Sequence, residues 1–336
     1  MAHEESNSQS AGQVVDITFV GGGPVGLYGA FYAGMQGLSV RIIEALPQLG
    51  GQLAALYPEK HIYDVGGIPK ILAKDLVARL IEQARTFKPD VCLGERVLDL
   101  SKTPDGLFRL LTTRGERLTR TVVLTAGIGA FEPKRLDAPG LRELEGKGVY
   151  YTVLSVNEFA GKSVLIVGGG DSAFDWALEL EPVARKVTLI HRRDVFRAHP
   201  TTVQKVMDSR VEVKVFREVR RVEGDDRVER AVIFDNRDGS EETLDVEAVV
   251  LAVGFSPDLG PIYNWGIEMV GDEIPIDQTG ATNVKGVFAA GDVATYPGKL
   301  KLIASGFGEV ATAVGQAKRF IRPDARIHIH SSNLKF

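Results

Sequence analysis

The sequence is poor in cysteine, lacks long hydrophobic runs and has no excess of positive charge. Its 336 residues include one cysteine, Cys92, so the count excludes an intramolecular disulfide, a Cys-x-x-Cys redox pair and a cysteine-based zinc site. The longest apolar stretches, such as 248–255, are far shorter than the roughly 20 residues that cross a bilayer. We therefore expect no membrane segment, no metal site and a cytoplasmic location, with Cys92 as a small buried core residue.

The charge balance is slightly acidic. There are 40 lysines and arginines against 44 aspartates and glutamates, giving a formal net charge of −4. Such a surface does not suit nucleic acid as a general partner. The chain is 44% hydrophobic and 25% charged, and its length predicts roughly two globular domains. Residues 1–13 are polar, and we expect them to form a disordered tail.

The first motif of interest is a Gly-rich turn between an apolar strand and a helix, in "DITFVGGGPVGLYGAFYAGMQGLSVRIIEA" (16–45). Gly21, Gly23 and Gly26 match G-x-G-x-x-G, in which the glycines permit a tight turn, close approach to a pyrophosphate and close helix packing. Glu44 ends the next strand, where a carboxylate can accept hydrogen bonds from a ribose. This segment predicts a dinucleotide site.

The same device occurs a second time in "SVLIVGGGDSAFDWALEL" (163–180), where Gly168, Gly170 and Ala173 give the G-x-G-x-x-A form. The following strand ends in "HRRDVFR" (191–197) and carries no acid where Glu44 stood. The candidates here are the three arginines Arg192, Arg193 and Arg197. Guanidinium groups suit a 2′-phosphate better than a ribose hydroxyl, so this site favours NADP(H) over NAD(H).

The order of elements predicts an internal duplication of nucleotide-binding domains. We expect βαβ units at 14–44 and 163–191, a ligand-shaped loop at 46–69 and a helix over 70–87. Short strands over 96–127 have the pattern of an antiparallel insertion, and similar strands follow the second unit. Near the C-terminus, the strand "GVFAAGDVA" (286–294) ends in Gly291 and Asp292.

The strand over 286–294 resembles the FAD-binding strand of flavoproteins with two dinucleotide sites, in which the aspartate hydrogen-bonds the ribityl chain. With "GGGPVGLYGAFYAG", "GGGDSAFDWAL" and "HRRDVFRA", the chain resembles the low-molecular-weight thioredoxin reductases over nearly its whole length. The resemblance implies an α/β fold of two Rossmann-like, three-layer ββα domains. An FAD-binding domain would comprise 14–131 and 255–336, and an NADP-binding domain would comprise 132–254.

The cysteines of that family are missing. Thioredoxin reductases carry a Cys-x-x-Cys pair shortly before the second Gly turn, where this chain reads "GVYYTVLSVNEFAGKS" (148–163). With "LPQLGGQLAALYPEKHIYDVGG" (46–67) and "GKLKLIASGFGEVATAV" (298–314), the chain closely resembles the thioredoxin-reductase-like ferredoxin/flavodoxin NADP+ reductases. That family implies a homodimer in which NADPH reduces FAD, and FAD passes single electrons to ferredoxin or flavodoxin, or the reverse.

The resemblance also assigns residues to the flavin. Tyr57 would stack on one face of the isoalloxazine, and a C-terminal residue of the partner subunit, His330 or else His328, on the other. Gln52 would contact the ribityl and pyrophosphate region, the Val97 backbone the adenine, and Ser332 the flavin edge. The residues predicted to bind FAD are therefore Gly21, Gly23, Pro24, Gly26, Glu44, Gln52, Tyr57, Val97, Phe131, Asp292 and Ser332.

No side chain is predicted to act as a catalytic acid or base, because hydride transfer needs position and electrostatics. Three other functions stay open: an NADPH-dependent diaphorase or flavin reductase, a disulfide reductase whose thiols lie on a partner protein, and a slow-turnover flavin redox sensor. Lys299 and Lys301 are candidates for a basic patch that would steer an acidic ferredoxin.

Overall fold

The structure, a computed structural model, describes residues 13–327. The side chains of residues 130–132 and 256–257 are not described. The described chain divides into two compact units. Unit 1 comprises 13–55, 61–131 and 257–327, and unit 2 comprises 56–60 and 132–256.

The elements of the first 133 residues belong mainly to unit 1. The strands are β1 (Val15–Val20), β2 (Val40–Glu44), β3 (His61–Ile62), β4 (Ile71–Leu72), β5 (Asp90–Leu93), β6 (Val97–Lys102), β7 (Phe108–Thr112), β8 (Gly115–Leu124) and β9 (Ala130–Pro133). The helices are α1 (Pro24–Met35), α2 (Gly51–Ala55) and α3 (Ala73–Arg85).

The remaining elements complete both units. Strands of the middle segment are β10 (Val149–Tyr150), β11 (Ser163–Val167), β12 (Lys186–His191), β13 (Glu212–Val215), β14 (Arg217–Glu223), β15 (Arg230–Asp235), β16 (Glu241–Asp245), β17 (Ala248–Leu251) and β18 (Phe255–Asp258), with helices α4 (Asp171–Leu180) and α5 (Pro200–Met207). The C-terminal segment adds β19 (Ile274–Pro275), β20 (Val287–Ala289), β21 (Ala294–Thr295) and α6 (Ile303–Ile321). Two short 3₁₀ turns span Val156–Phe159 and Gly260–Asn264.

Unit 1 is built on a sheet in which β8 belongs to two layers. The strand order is β5-β2-β1-β8-β7-β6, and β20 also pairs with β8. β8 runs parallel to β1 and β20 but antiparallel to β7. Strand alternation sends Val20 and Ile43 into one core with Val97 and Leu100 of β6, while Phe19 packs under α1. The result is three layers: helices, a parallel sheet and an antiparallel sheet.

Unit 2 repeats this architecture. Its parallel sheet has the order β10-β17-β11-β12-β13, and β14, β15 and β16 form a separate antiparallel sheet. Along β11, Val164 and Ile166 face the core that contains α4, and the alternating residue Leu165 faces the core shared with the antiparallel strands. In unit 1 the corresponding order is β20-β8-β1-β2-β5. The prediction of two Rossmann-like, three-layer domains is thereby confirmed.

The strand and helix bounds differ from the expectations in two places. The helix predicted over 70–87 begins at Ala73, because Ile71 and Leu72 pair with β3. The strands of 96–127 form an antiparallel insertion only in part. The C-terminal half of β8 belongs to the parallel sheet, since its Val122–Leu124 are fully buried between β1 and β20.

Candidate cofactor sites

The first Gly-rich turn leaves no space for side chains at two of its glycines. Gly21 has φ +111°, and a Cβ there would lie 2.4 Å from the carbonyl oxygen of Thr125. A Cβ at Gly26 would lie 2.1 Å from the carbonyl oxygen of Gly21. The turn is also fixed by its backbone, since Gly21 N–H donates to Ile43 O at 2.9 Å. Glycine is therefore required here by the close approach of strand, turn and helix.

The N-terminus of α1 fits an anionic ligand. Gly23 is its N-cap, Pro24 lies in its first turn, and no side chain caps it. The nearest atom to a Cβ at Gly23 would be Gly51 Cα, at 3.8 Å, so the space over this glycine is open. Uncapped N–H groups at the start of a helix bind phosphate well. This turn therefore has the cradle that the pyrophosphate of a dinucleotide requires.

Glu44 ends β2 beside this cradle and is 7% exposed. Its carboxylate accepts hydrogen bonds from Gly22 N–H at 2.7 Å and from Leu46 N–H at 2.8 Å. Burial raises the pKa of Glu44, and these backbone bonds oppose the rise. An ionised carboxylate has about four acceptor sites, so Glu44 can still accept hydrogen bonds from the hydroxyls of a ribose.

Three further residues predicted for FAD lie on elements of unit 1. Gln52 is on α2, and its Nε2 would be 3.2 Å from a Cβ at Gly127, in the loop after β8. Val97 begins β6 and is 5% exposed. Asp292 follows Gly291, where a Cβ would lie 3.1 Å from Val25 of α1. The Asp292 segment is therefore adjacent to the N-terminus of α1, and burial raises the pKa of Asp292.

The structure describes only some of the residues predicted to lie near the flavin ring. Tyr57 belongs to segment 56–60, which groups with unit 2, and its side chain packs against the core cluster that contains Phe174. Within that segment, Lys60 forms an ion pair with Asp175 of α4. Phe131 lies in β9, but its side chain is among those not described. His328, His330 and Ser332 lie outside the described residues, as do residues 1–12 of the tail predicted over 1–13.

The second Gly-rich turn has the same backbone. Gly168 N–H donates to Ile190 O at 3.0 Å, and a Cβ at Gly168 would lie 2.4 Å from Ala252 O. Gly170 is the N-cap of α4, which has no side-chain cap, and a Cβ there would meet no atom within 4 Å. Ala173 is fully buried at the third position. This turn also offers a cradle for phosphate.

The three arginines lie together in the loop after β12. Arg192, Arg193 and Arg197 are exposed, and within residues 13–327 none of them forms an ion pair. The loop is fixed by its backbone instead. Arg197 N–H donates to Gly169 O at 2.8 Å, and Asn236 Nδ2 donates to Arg192 O at 2.9 Å. Three unpaired guanidinium groups beside a phosphate cradle suit a further phosphate group.

His191 is a residue of this site that sequence reasoning missed. It ends β12, where Glu44 ends β2 in unit 1, and a Cβ at Gly169 would lie 2.3 Å from its ring. Burial lowers the pKa of His191, and the neighbouring arginines lower it further. The sequence could have predicted this residue, since His191 begins "HRRDVFR" and occupies the position that Glu44 occupies in the first site.

The remaining candidates for redox or metal chemistry are the thiol of Cys92 and groups of acidic and histidine side chains. Cys92 is 3% exposed in the core of unit 1, as expected, and burial raises the pKa of its thiol to about 12. Over residues 13–327, no three His, Cys, Asp or Glu side chains are grouped closely enough to hold a metal ion. No helix in that range has the length and apolar character that a membrane span needs.

Comparisons with known proteins agree with this geometry. Residues 14–317 match the family described as pyridine nucleotide-disulphide oxidoreductase. The chain belongs to this family. It is 53% identical to a protein of Symbiobacterium thermophilum named ferredoxin--NADP reductase, over 95% of this chain and 97% of the relative. A protein of Thermus thermophilus with the same name is 52% identical, over 94% of this chain and 96% of the relative.

A solved structure supports the subtype. The crystal structure of thioredoxin reductase from T. acidophilum is 25% identical, with a TM-score of 0.80 over 93% of this chain and 99% of that one. The resemblance to reductases of the thioredoxin-reductase-like type is confirmed. As a pyridine nucleotide-disulphide oxidoreductase of this type, the protein is a flavoprotein oxidoreductase that binds FAD and a pyridine nucleotide, and the two cradles described above fit both groups.

Proposed function

We propose that the protein is an FAD-dependent ferredoxin--NADP+ reductase that exchanges electrons between NADPH and ferredoxin or flavodoxin. The observation that carries this proposal is the name shared by relatives about half identical over nearly the full chain. The buried Cys92 supports it, because a chain with a single inaccessible thiol cannot reduce a disulfide through a dithiol of its own. Electrons must therefore leave the flavin directly.

The first cradle would hold FAD and the second NADP(H). Gly21, Gly23, Pro24 and Gly26 would receive the FAD pyrophosphate, and Glu44 the adenosine ribose. In unit 2, Gly168, Gly170 and Ala173 would approach the pyrophosphate of NADP(H), with the arginine loop on its 2′-phosphate. The chemistry that FAD supplies when bound is acceptance of a hydride from NADPH and release of the two electrons singly. The protein's own residues bind and orient the two nucleotides.

We also propose that the protein is a homodimer in the cytoplasm, in which His330 of the partner subunit covers one flavin face and Tyr57 the other. Light scattering would give the oligomeric state. Substituting His328 and His330 singly by alanine would separate the two candidates, because removing a stacked ring changes the visible spectrum of the flavin. An unchanged spectrum in both variants would contradict the C-terminal stacking residue.

The deciding experiment is anaerobic reduction of the purified protein by NADPH, followed by cytochrome c reduction with and without added ferredoxin. We expect rapid bleaching of the flavin absorbance and a rate of cytochrome c reduction that depends strongly on ferredoxin. Fast flavin reduction with no effect of ferredoxin or flavodoxin would overturn the proposed acceptor.

Lys299 does not belong to a basic patch that could steer ferredoxin, because its side chain is 5% exposed and ion-paired to Glu309.

A further inference from the structure

The side chain of Glu309 lies in the second turn of α6 and binds three donors from the segment 291–299. Its carboxylate accepts hydrogen bonds from Gly291 N–H at 2.9 Å, from Tyr296 OH at 2.7 Å and from Lys299 Nζ at 2.6 Å. The donors come from both ends of the segment. Glu309 thereby closes the segment into a loop whose first two residues are Gly291 and Asp292.

This ion pair is buried. The side chain of Lys299 is 5% exposed and that of Glu309 is 10% exposed. Removing two charges from water is costly, and a buried pair seldom stabilises a fold more than apolar residues of similar size would. Its value lies in geometry, because three donors on one carboxylate fix the loop in a single arrangement.

The loop is adjacent to the first cradle. Gly306 of α6 packs closely enough that a Cβ there would lie 2.5 Å from Val25 of α1 and 3.4 Å from Gly291 Cα. Asp292 lies within the electrostatic influence of four charged groups, Lys299, Lys301, Glu273 and Glu309. Lys301 is itself paired with Glu273. Charged groups of both signs therefore lie near Asp292.

We propose that Glu309 and Lys299 are positioning residues of the FAD site. Glu309 holds the Gly291–Asp292 turn through the N–H of Gly291, and Lys299 compensates the buried charge of Glu309. Removing either charge would leave the other buried and uncompensated beside the first cradle. This inference rests on the proposed binding of FAD by unit 1, and it does not depend on the electron acceptor.

The test uses the full-length protein with Glu309→Gln, Lys299→Met and the double variant. The dissociation constant for FAD would be measured by flavin fluorescence and the flavin midpoint potential by anaerobic dye equilibration. We expect each single variant to weaken FAD binding about tenfold, the effect of one charge-assisted hydrogen bond. Glu309→Gln leaves a buried positive charge and should raise the potential, whereas Lys299→Met leaves a negative charge and should lower it.

A purely structural pair would behave differently. Loosening of the fold would shift the potential of both single variants in the same direction, and that result would overturn the proposal, as would two unchanged dissociation constants. The double variant restores neutrality and should return the potential close to the wild-type value. If Lys299→Met fails to fold, Tyr296→Phe removes one donor and should weaken FAD binding about twofold to threefold.

The matched control is Glu212→Gln in unit 2. Glu212 pairs with Lys186 on the surface, where the two side chains are 38% and 56% exposed. This variant should leave FAD affinity and potential unchanged. A wild-type protein that bound no FAD would overturn both this inference and the proposed function. A missing response to ferredoxin alone would overturn only the proposed function.

Discussion

The two Gly-rich turns make similar backbone hydrogen bonds. They differ in the side chain that lies against the second of three consecutive glycines, Gly22 in unit 1 and Gly169 in unit 2. In unit 1, Gly22 N–H donates to the carboxylate of Glu44. In unit 2, Gly169 lies against the ring of His191. The bonds between strand and turn are otherwise alike. The backbone therefore forms a cradle that fits phosphate in both units, whereas the second strand ends in a carboxylate in unit 1 and in an imidazole in unit 2.

The turns also differ at the third glycine of the motif. In unit 1, Thr125 Oγ1 donates to Gly21 O at 2.8 Å, and a Cβ at Gly26 would lie 2.9 Å from this hydroxyl. In unit 2 the corresponding residue is Ala252, which has no hydroxyl. The smaller residue after the strand accompanies the larger residue on the helix, Ala173. A Cβ at Gly26 would come still closer to the carbonyl oxygen of Gly21, at 2.1 Å, so alanine is excluded from the first turn, whereas the second turn holds Ala173.

The first prediction places alanine in the first Gly-rich turn. Gly26→Ala would press a methyl group against the backbone of Gly21. Overpacking of this kind typically costs about 1–3 kcal/mol, and here the displaced atoms are those of the cradle itself. We expect a lower melting temperature and protein purified with little flavin, measured by thermal unfolding and by the absorbance ratio of flavin to protein.

Two glycine variants sharpen this comparison. Gly66→Ala in unit 1 meets no atom within 4 Å and should change neither property. Gly170→Ala meets no protein atom either, but its methyl group would enter the space left for NADP(H). This variant should keep its melting temperature and its flavin and show a raised KM for NADPH. Normal flavin content in Gly26→Ala would contradict the packing argument.

The second prediction concerns the arginine loop of unit 2. Substituting Arg192 and Arg197 together by alanine removes two charge-assisted contacts to a 2′-phosphate. At about 1.5–3 kcal/mol each, the loss corresponds to roughly a hundredfold or more in KM for NADPH. The KM for NADH, which lacks this phosphate, should change little. Stopped-flow reduction of the flavin at varied nucleotide concentration would give both values.

The control for this prediction is Arg210→Ala. Arg210 is also an exposed arginine of unit 2, but it pairs with Glu181 at 2.9 Å, and its loss should leave both KM values unchanged. Equal losses for NADPH and NADH in the double variant would overturn the assignment of the 2′-phosphate.

The sequence was sufficient for those features that depend on local pattern. Both Gly turns, both βαβ units and the burial of Cys92 follow from residue type and spacing, because turn chemistry and strand alternation are local. The dual role of β8 could not be predicted, since its pairing with β20 joins residues more than 150 positions apart. The grouping of Tyr57 with unit 2 likewise depends on packing against residues distant in sequence.

The third prediction concerns the acid of the first site. In Glu44→Gln, an amide NH₂ replaces one of the two oxygens that accept the N–H groups of Gly22 and Leu46. The neutral amide would accept hydrogen bonds from the ribose hydroxyls less strongly than the carboxylate does, since bonds to a charged acceptor contribute about 1.5–3 kcal/mol each. FAD affinity should therefore fall about tenfold. Equilibrium dialysis would measure the dissociation constant for FAD. Glu82→Gln, at an exposed position on α3 of unit 1, serves as the control. Equal affinity in Glu44→Gln and wild type would refute the ribose assignment.

The smallest expected effect would show whether His191 takes part in nucleotide choice. Burial and the neighbouring arginines lower the pKa of His191 and so favour its neutral imidazole in the free protein. A bound 2′-phosphate would favour the imidazolium, so NADPH binding would take up a proton. The preference for NADPH over NADH should therefore increase about twofold to fivefold as the pH falls from 8 to 6.5, a modest part of the tenfold that one pKa unit represents.

His191→Gln should lose this increase, whereas His61→Gln, a variant in unit 1, should retain it. Protonation of the phosphate itself, with a pKa near 6, acts equally in all three proteins, and the difference between their pH profiles isolates His191. An identical profile in His191→Gln would mean that the residue only fills the space beside Gly169. In that case the arginines alone would select the nucleotide in unit 2, and His191 would take no part in binding it.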